Sequence, residues 1–114
     1  MNIMKNFNAS HLQIKKCIRE DFQTFPYEVG WGDEVIFFFT IEHITDGNPT
    51  YTATVQLSPD GVRWADDGQT PVATISGEGV HIIKVAPNFG NYIRLSVRTE
   101  GGEAMLCLSI HCKG

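Results

Sequence analysis

The sequence predicts a single all-β domain, an antiparallel β-sandwich of jelly-roll or immunoglobulin-like type with about seven or eight strands. Short segments in which apolar and polar residues alternate recur along the chain, as is typical of strands with one buried face. Turn-forming residues separate these segments, most clearly in the heptad Ser-Pro-Asp-Gly-Val-Arg-Trp at residues 58–64. The 114 residues suffice for one domain with its own core and are too few for two.

The strongest strand signal lies in residues 34–42, which are apolar on both faces. One face consists of Val35, Phe37, Phe39 and Ile41. Ile36 and Phe38 lie on the other face, because successive side chains of a strand point in opposite directions. An outer strand of a sandwich carries polar residues on its solvent side. Two apolar faces therefore indicate either a central strand covered on both sides or a face that binds a partner, and Ile36 and Phe38 are candidate binding residues.

Further strands are predicted by the same alternation, with turns between them. These strands cover residues 51–58, 72–75, 80–85, 92–99 and 104–112. Asp-Gly-Asn-Pro at residues 46–49 predicts a turn, and Glu-Gly-Gly-Glu at residues 100–103 predicts a hairpin loop.

The heptad at residues 58–64 is explained by turn chemistry. Pro59 sets the backbone φ angle, the Asp60 side chain can bond the backbone, and Gly61 tolerates positive φ. We expect Trp64, just after the turn, to pack on the core.

The N-terminal part is predicted to be an arm over residues 1–10, followed by the β-sandwich domain over residues 11–114. Residues 11–18 fit either a strand or a helix, and a strand is favoured because every later segment is β. Residues 1–19 contain lysine and arginine but no acid, whereas residues 20–46 contain acids and no base. This asymmetry indicates either two solvated faces or a basic arm that docks on an acidic neighbour.

Composition and charge exclude several classes of partner. The net charge of −4 argues against nucleic acid. No apolar run reaches the roughly 18 residues of a membrane span. Residues 1–10 lack the apolar centre of a signal peptide, so we expect a protein that is cytoplasmic or assembled in a particle. Three cysteines, an odd number, do not form a disulfide framework.

No catalytic residue, metal site or cofactor is predicted, so we do not expect an enzyme. On one strand, Cys107 and His111 would be about 13 Å apart, too far to share an ion, and Cys112 would face the other way. The four histidines are scattered and lie in no nucleophile motif. The carboxylates of Asp60, Asp66 and Asp67 leave calcium open as an alternative to turn chemistry.

Loop aromatics are the other candidate binding residues. Trp31 stands between Gly30 and Gly32, which favours exposure. Together with Tyr27 and Tyr92 it would suit the flat face of a sugar.

Two segments carry a family resemblance: the heptad at residues 58–64 and Phe-Gly-Asn-Tyr-Ile-Arg-Leu-Ser-Val at residues 89–97. Residues 51–114 resemble discoidin-like jelly rolls and also short β-sandwich proteins of phage particles, which share a Ser-x-Asp-Gly-x-x-Trp hairpin and a late aromatic-Ile-Arg-Leu strand. Discoidin domains are longer and usually carry a terminal disulfide; Cys17 and Cys112 are the one pair so placed here. The resemblance implies a sandwich fold and agrees with a particle subunit.

These observations predict a non-enzymatic structural or assembly protein, such as an accessory or decoration subunit of a phage-like particle or another large complex. Its expected partner is a protein or another copy of the chain. The alternative is a carbohydrate-binding module that binds a glycan through Trp31, Tyr27 and Tyr92.

Overall fold

The computed structural model describes the backbone of residues 7–114 and the side chains of residues 17–114. This part of the chain contains eight strands and no helix. The strands are β1 (Phe7–Ile18), β2 (Phe22–Gln23), β3 (Tyr27–Glu28), β4 (Glu34–Ser58), β5 (Ala65–Asp66), β6 (Ala73–Ser76), β7 (Gly79–Lys84) and β8 (Tyr92–Lys113). All pairings are antiparallel, which confirms the predicted fold class.

The N-terminal segment is partly described. Residues 11–18 lie in strand β1, so the strand prediction for them is confirmed. Strand β1 begins at Phe7 and pairs with β8 from there. Residues 1–6 lie outside the described residues, and the division into an arm and a domain at residue 10 stays a prediction.

Two long strands, β4 and β8, form the centre of the molecule and pair along their whole length. Their register shifts at three points between Ile41 and Thr50, where both strands bend. The bend divides the sheet into two layers. Layer 1 contains β1, the second half of β8, the first half of β4, and β7; layer 2 contains β2, β3, the first half of β8, the second half of β4, β5 and β6.

The two layers pack face to face. Phe39 and Tyr51 belong to the same strand, yet their ring centroids are 5.6 Å apart. Twelve residues of straight strand would span about 40 Å, so β4 folds back on itself. The Tyr51 hydroxyl donates a buried hydrogen bond of 2.8 Å to the Ile18 carbonyl.

The bend corrects two predicted loops. Residues 46–49 and 100–103 were expected to be a turn and a hairpin loop, but they lie inside β4 and β8 and face each other, with Gly47 opposite Gly102. The glycines serve a strand corner, with φ of 63° at Gly47 and 86° at Gly101. Turns and corners both need a residue that accepts positive φ, so the sequence signal was the same.

The core lies between the layers and consists mainly of side chains that the alternation predicts to point inward, together with Val29 and Phe89 from segments between strands. Its largest fully buried members include Tyr51, Phe37, Phe39, Ile41, Ile93, Leu95, Leu106, Leu108 and Ile110. Trp64 is the exception to the predicted pattern. It lies half-buried outside the core cluster, with the Arg94 guanidinium 4.2 Å from its ring centroid. No helix long and apolar enough to cross a membrane occurs in the described part of the chain.

Candidate functional site

The outer surfaces of the two layers differ in chemistry. The outward side chains at the centre of layer 2 are polar and include Thr52, Thr54, Gln56, Arg94 and Ser96. The corresponding side chains of layer 1 on β4 and β7 are largely apolar. We call the group formed by Ile36, Phe38, Val80 and Ile82 the apolar face.

Strand pairing brings the apolar face together. Ile82 is paired with Phe38, and Val80 is paired with Thr40, the next outward residue of β4. Paired side chains in antiparallel strands lie side by side on one surface. Val80 is 63% exposed and Ile82 is 57% exposed, while Ile36 and Phe38 are half-buried. The structure therefore joins the two predicted binding residues on β4 to two exposed residues on β7.

One side of the apolar face continues onto β8. The Phe38 ring meets the His111 ring edge to face, with centroids 4.8 Å apart. Ser109 is paired with Phe38, and Cys107 is paired with Thr40. An apolar centre is thus joined to more polar neighbours on β8.

Charged residues border the apolar face at both ends. The Lys113 ammonium lies 3.7 Å from a Glu34 carboxylate oxygen. At the other end, Glu78 accepts a hydrogen bond of 3.0 Å from the Ile44 backbone N–H, and His43 Nδ1 lies 3.6 Å from the same carboxylate. An apolar centre with a polar rim is the usual arrangement of a protein–protein contact surface.

The predicted loop aromatics do not form one platform. Trp31 is 46% exposed, as the flanking glycines indicated. Tyr27 is paired with Ile93 and packs against the core, whereas Tyr92 is paired with Glu28 and faces the opposite side of layer 2. The Tyr92 ring lies against Gly61, 3.6 Å from the place a β-carbon would occupy there.

Two of the three carboxylates near the hairpin end, those of Asp60 and Asp67, accept hydrogen bonds within turns, whereas Asp66 on β5 accepts one of 2.9 Å from Gln56 Nε2 on β4. Asp60 Oδ1 accepts hydrogen bonds from the backbone N–H groups of Val62 and Arg63. These bonds hold the pKa of Asp60 below its ordinary value, the Arg63 N–H being the larger cause. Asp67 accepts from the Gln69 N–H and from the Thr70 hydroxyl. No group of three potential metal ligands occurs within the described residues.

The cysteines are separate free thiols. Cys17 is exposed, Cys107 is half-buried and Cys112 is buried. Burial raises the pKa of Cys112, and the negative charge of Asp33 adds to the effect. Cys112 faces the core, away from Cys107 and His111, as the strand geometry predicted.

Sequence reasoning missed Val80 and Ile82 as site residues. The sequence predicts a strand at residues 80–85, but alternation within one strand does not reveal which strand pairs with it. The available signal was the pair of apolar residues, Val80 and Ile82, at outward positions of a short strand.

Comparison with known proteins identifies a family and a fold. The model of the family DUF6385, a domain of unknown function, matches residues 41–114. A search of curated proteins found no match to this sequence.

Three solved structures illustrate the similarity in fold. The C-terminal family 22 carbohydrate-binding module of Clostridium thermocellum Xyn10B superposes with a TM-score of 0.50 at 9% identity, covering 98% of this chain and 88% of the module. The SPBc2 prophage-derived protein YomS gives a TM-score of 0.50 at 7% identity, with 99% and 100% covered. The CBM22-1–GH10 modules of the same xylanase give a TM-score of 0.48 at 15% identity. The match covers 97% of this chain and 27% of the two-module xylanase chain.

Proposed function

Since the chain belongs to the DUF6385 family, whose function is unknown, we propose from its surface that it is a non-catalytic assembly protein that binds a protein partner through the apolar face. The observation that carries this proposal is the exposure of Val80 and Ile82 beside Phe38 on the outer surface of layer 1. A sheet that faces water presents polar residues there, as layer 2 of this protein does.

Burial of the apolar face would favour association. Removal of apolar surface from water is worth roughly 25 cal/mol per Å². The half-buried Phe38 supplies an aromatic ring at the centre, and aromatic side chains are enriched at the centres of protein interfaces. The charged rim then sets orientation rather than affinity.

A finer proposal is that the complex is a phage-like particle and that the protein is an accessory or decoration subunit. The resemblance of residues 51–114 to particle proteins supports it. The prophage origin of YomS, which shares the fold, agrees with it.

The test is native affinity purification of the tagged chain from its source, with stoichiometry measured by quantitative mass spectrometry. We expect a stoichiometric protein partner to be retained by the wild type and lost from Phe38→Lys. The control is Val62→Lys, which adds the same charge at a 76% exposed valine in the 58–64 turn. Thermal unfolding of both variants shows that each is folded. Absence of a stoichiometric partner, or equal binding by Phe38→Lys, would refute the proposal.

The second candidate function is carbohydrate binding. The exposed ring of Trp31 favours it, and the likeness to the family 22 module agrees with it. The separation of Tyr27 from Tyr92 leaves Trp31 as the main aromatic contact. A glycan array followed by calorimetry tests this candidate: binding should disappear in Trp31→Ala and persist in Phe25→Ala, which removes another exposed ring. No binding to any glycan would exclude it.

A further inference from the structure

Strand β7 forms one edge of layer 1. It is paired with β4, and no other described strand pairs with it. The exposed edge of a strand offers unpaired backbone N–H and C=O groups, which bind another extended strand.

The alternation of hydrogen bonds between β7 and β4 shows which backbone N–H and C=O groups of β7 point outward. The Val85 N–H donates to the Val35 carbonyl at 3.1 Å. Bonding partners alternate along an antiparallel pair, so Ile83 and His81 also bond toward β4. The backbone groups of Val80, Ile82 and Lys84 therefore face the open edge, and the side chains of the same residues lie on the outer surface of layer 1.

We propose that a second copy of the chain adds to this edge, β7 against β7 in antiparallel orientation, about a twofold axis at Ile82. The open groups at residues 80, 82 and 84 are symmetric about Ile82. In this register Ile82 is opposite Ile82 of the second copy, and Val80 is opposite Lys84. Every outward N–H then meets an outward C=O, and the two apolar faces become one continuous surface.

Charge supports a second copy as the occupant. In the same register, Lys84 lies near Glu78 of the second copy, the residue just before β7. To meet Lys84, the Glu78 side chain rotates away from the Ile44 N–H from which its carboxylate accepts within its own chain. The Glu78 side chain is 53% exposed. Lys84 makes no ion pair within residues 17–114. The twofold axis produces this opposite-charge contact twice.

The inference rests on the proposed role of the apolar face as an interface, and the two are tested separately. Sedimentation equilibrium of the purified full chain should give twice the monomer mass of 12.7 kDa. Ile82→Pro removes one outward N–H that the fold does not use and should weaken dimerisation by at least about tenfold.

The matched control is Thr74→Pro on β6. The Asp67 N–H donates to the Val55 carbonyl at 2.8 Å, and the same alternation directs the Thr74 N–H outward from the edge of layer 2. We expect Thr74→Pro to remain a dimer. If Ile82→Pro does not fold, Lys84→Glu provides the test, because it places two acids diagonally across the axis and should dissociate the dimer.

A wild type that stays a monomer would overturn the inference, as would a dimer that survives Ile82→Pro or Lys84→Glu. A monomer that still recruits a protein through Phe38 would overturn the inference and leave the proposed function standing. A β7-dependent dimer that binds no other protein would support the inference and refute the proposed binding of a protein partner.

Discussion

Gly102 lies so close to the backbone carbonyl oxygen of Asp46 that a β-carbon at residue 102 would overlap it. The Pro49 ring lies 3.0 Å from the same position. These contacts occur at the corner where β4 and β8 pass from layer 1 to layer 2. The two central strands can turn together because both have glycine at this point, Gly47 in β4 opposite Gly102 in β8.

Replacing Gly102 by alanine should destabilise the protein. The new methyl group meets backbone atoms, which cannot move without displacing the corner, so we expect a loss of about 1–3 kcal/mol in the free energy of unfolding. Urea unfolding measures it. The control is Gly68→Ala, where a β-carbon has no atom within 4 Å; its change should stay within about 0.5 kcal/mol. Equal stability of the two variants would contradict the proposed importance of the corner.

Tyr51→Phe should destabilise the protein through one lost hydrogen bond. The Tyr51 hydroxyl donates to the Ile18 carbonyl in a buried position, and the net loss of one such hydrogen bond costs about 0.5–1.5 kcal/mol. Tyr92→Phe, which removes a hydroxyl from a half-buried ring on the outer surface, is the comparison and should cost less. The difference in urea midpoint between the two variants is the measurement.

Tyr51 should also make the protein sensitive to alkali. Burial raises the pKa of its hydroxyl above the ordinary value of 10.0. Above that value the unfolded chain loses the proton while the folded chain keeps it, so stability should fall as the pH rises from 10.0 through the raised pKa. In Tyr51→Phe this part of the decline should be absent. Parallel alkaline losses in both proteins would show that other groups cause it.

Asp60 should contribute to stability at neutral pH and lose that contribution in acid. Backbone N–H groups of Arg63 and Val62 hold its pKa below the ordinary 3.8. Protonation of the folded chain therefore occurs at lower pH than protonation of the unfolded chain, and stability should decline as the pH falls from 3.8 through the lowered pKa. Urea midpoints of wild type and Asp60→Asn should converge over that range. A difference that is constant with pH would contradict the assignment.

The three thiols should react in the order of their exposure. Cys17 is exposed, and Cys112 is buried with a raised pKa, so it offers little thiolate. Mass spectrometry after timed alkylation should show Cys17 modified first and Cys112 last. The Cys17→Ser variant should lose the fast phase alone. Rapid modification of Cys112 in the native protein would contradict its placement in the core.

The strands could be predicted because alternation is a local property. Phe37 and Phe38 point to opposite faces in any extended chain, so the core and the outer residue were both assigned correctly. Local alternation does not predict the corner at Gly47 or the pairing of Phe38 with Ile82. They depend on pairing between distant segments, which neither composition nor periodicity encodes.

The sequence therefore predicts two of the four residues of the apolar face. Ile36 and Phe38 stood out because a sandwich strand rarely has two apolar faces. Val80 and Ile82 gained their significance from the register of β7 on β4. Trp64 follows a turn, but its ring lies against the Arg94 guanidinium on the outer surface of layer 2 and not in the core.

The position of β8 affects how the protein is made. Strands β1, β2 and β3 pair with β8 and with no other described strand, and β8 leaves the ribosome after all three of them. A nascent chain that ends before residue 92 therefore holds three strands without their neighbour, and its apolar strand at residues 34–42 lacks the pairing with β8. Folding of both layers must wait for translation of residues 92–113, and during that delay chaperones have an extended apolar segment to bind.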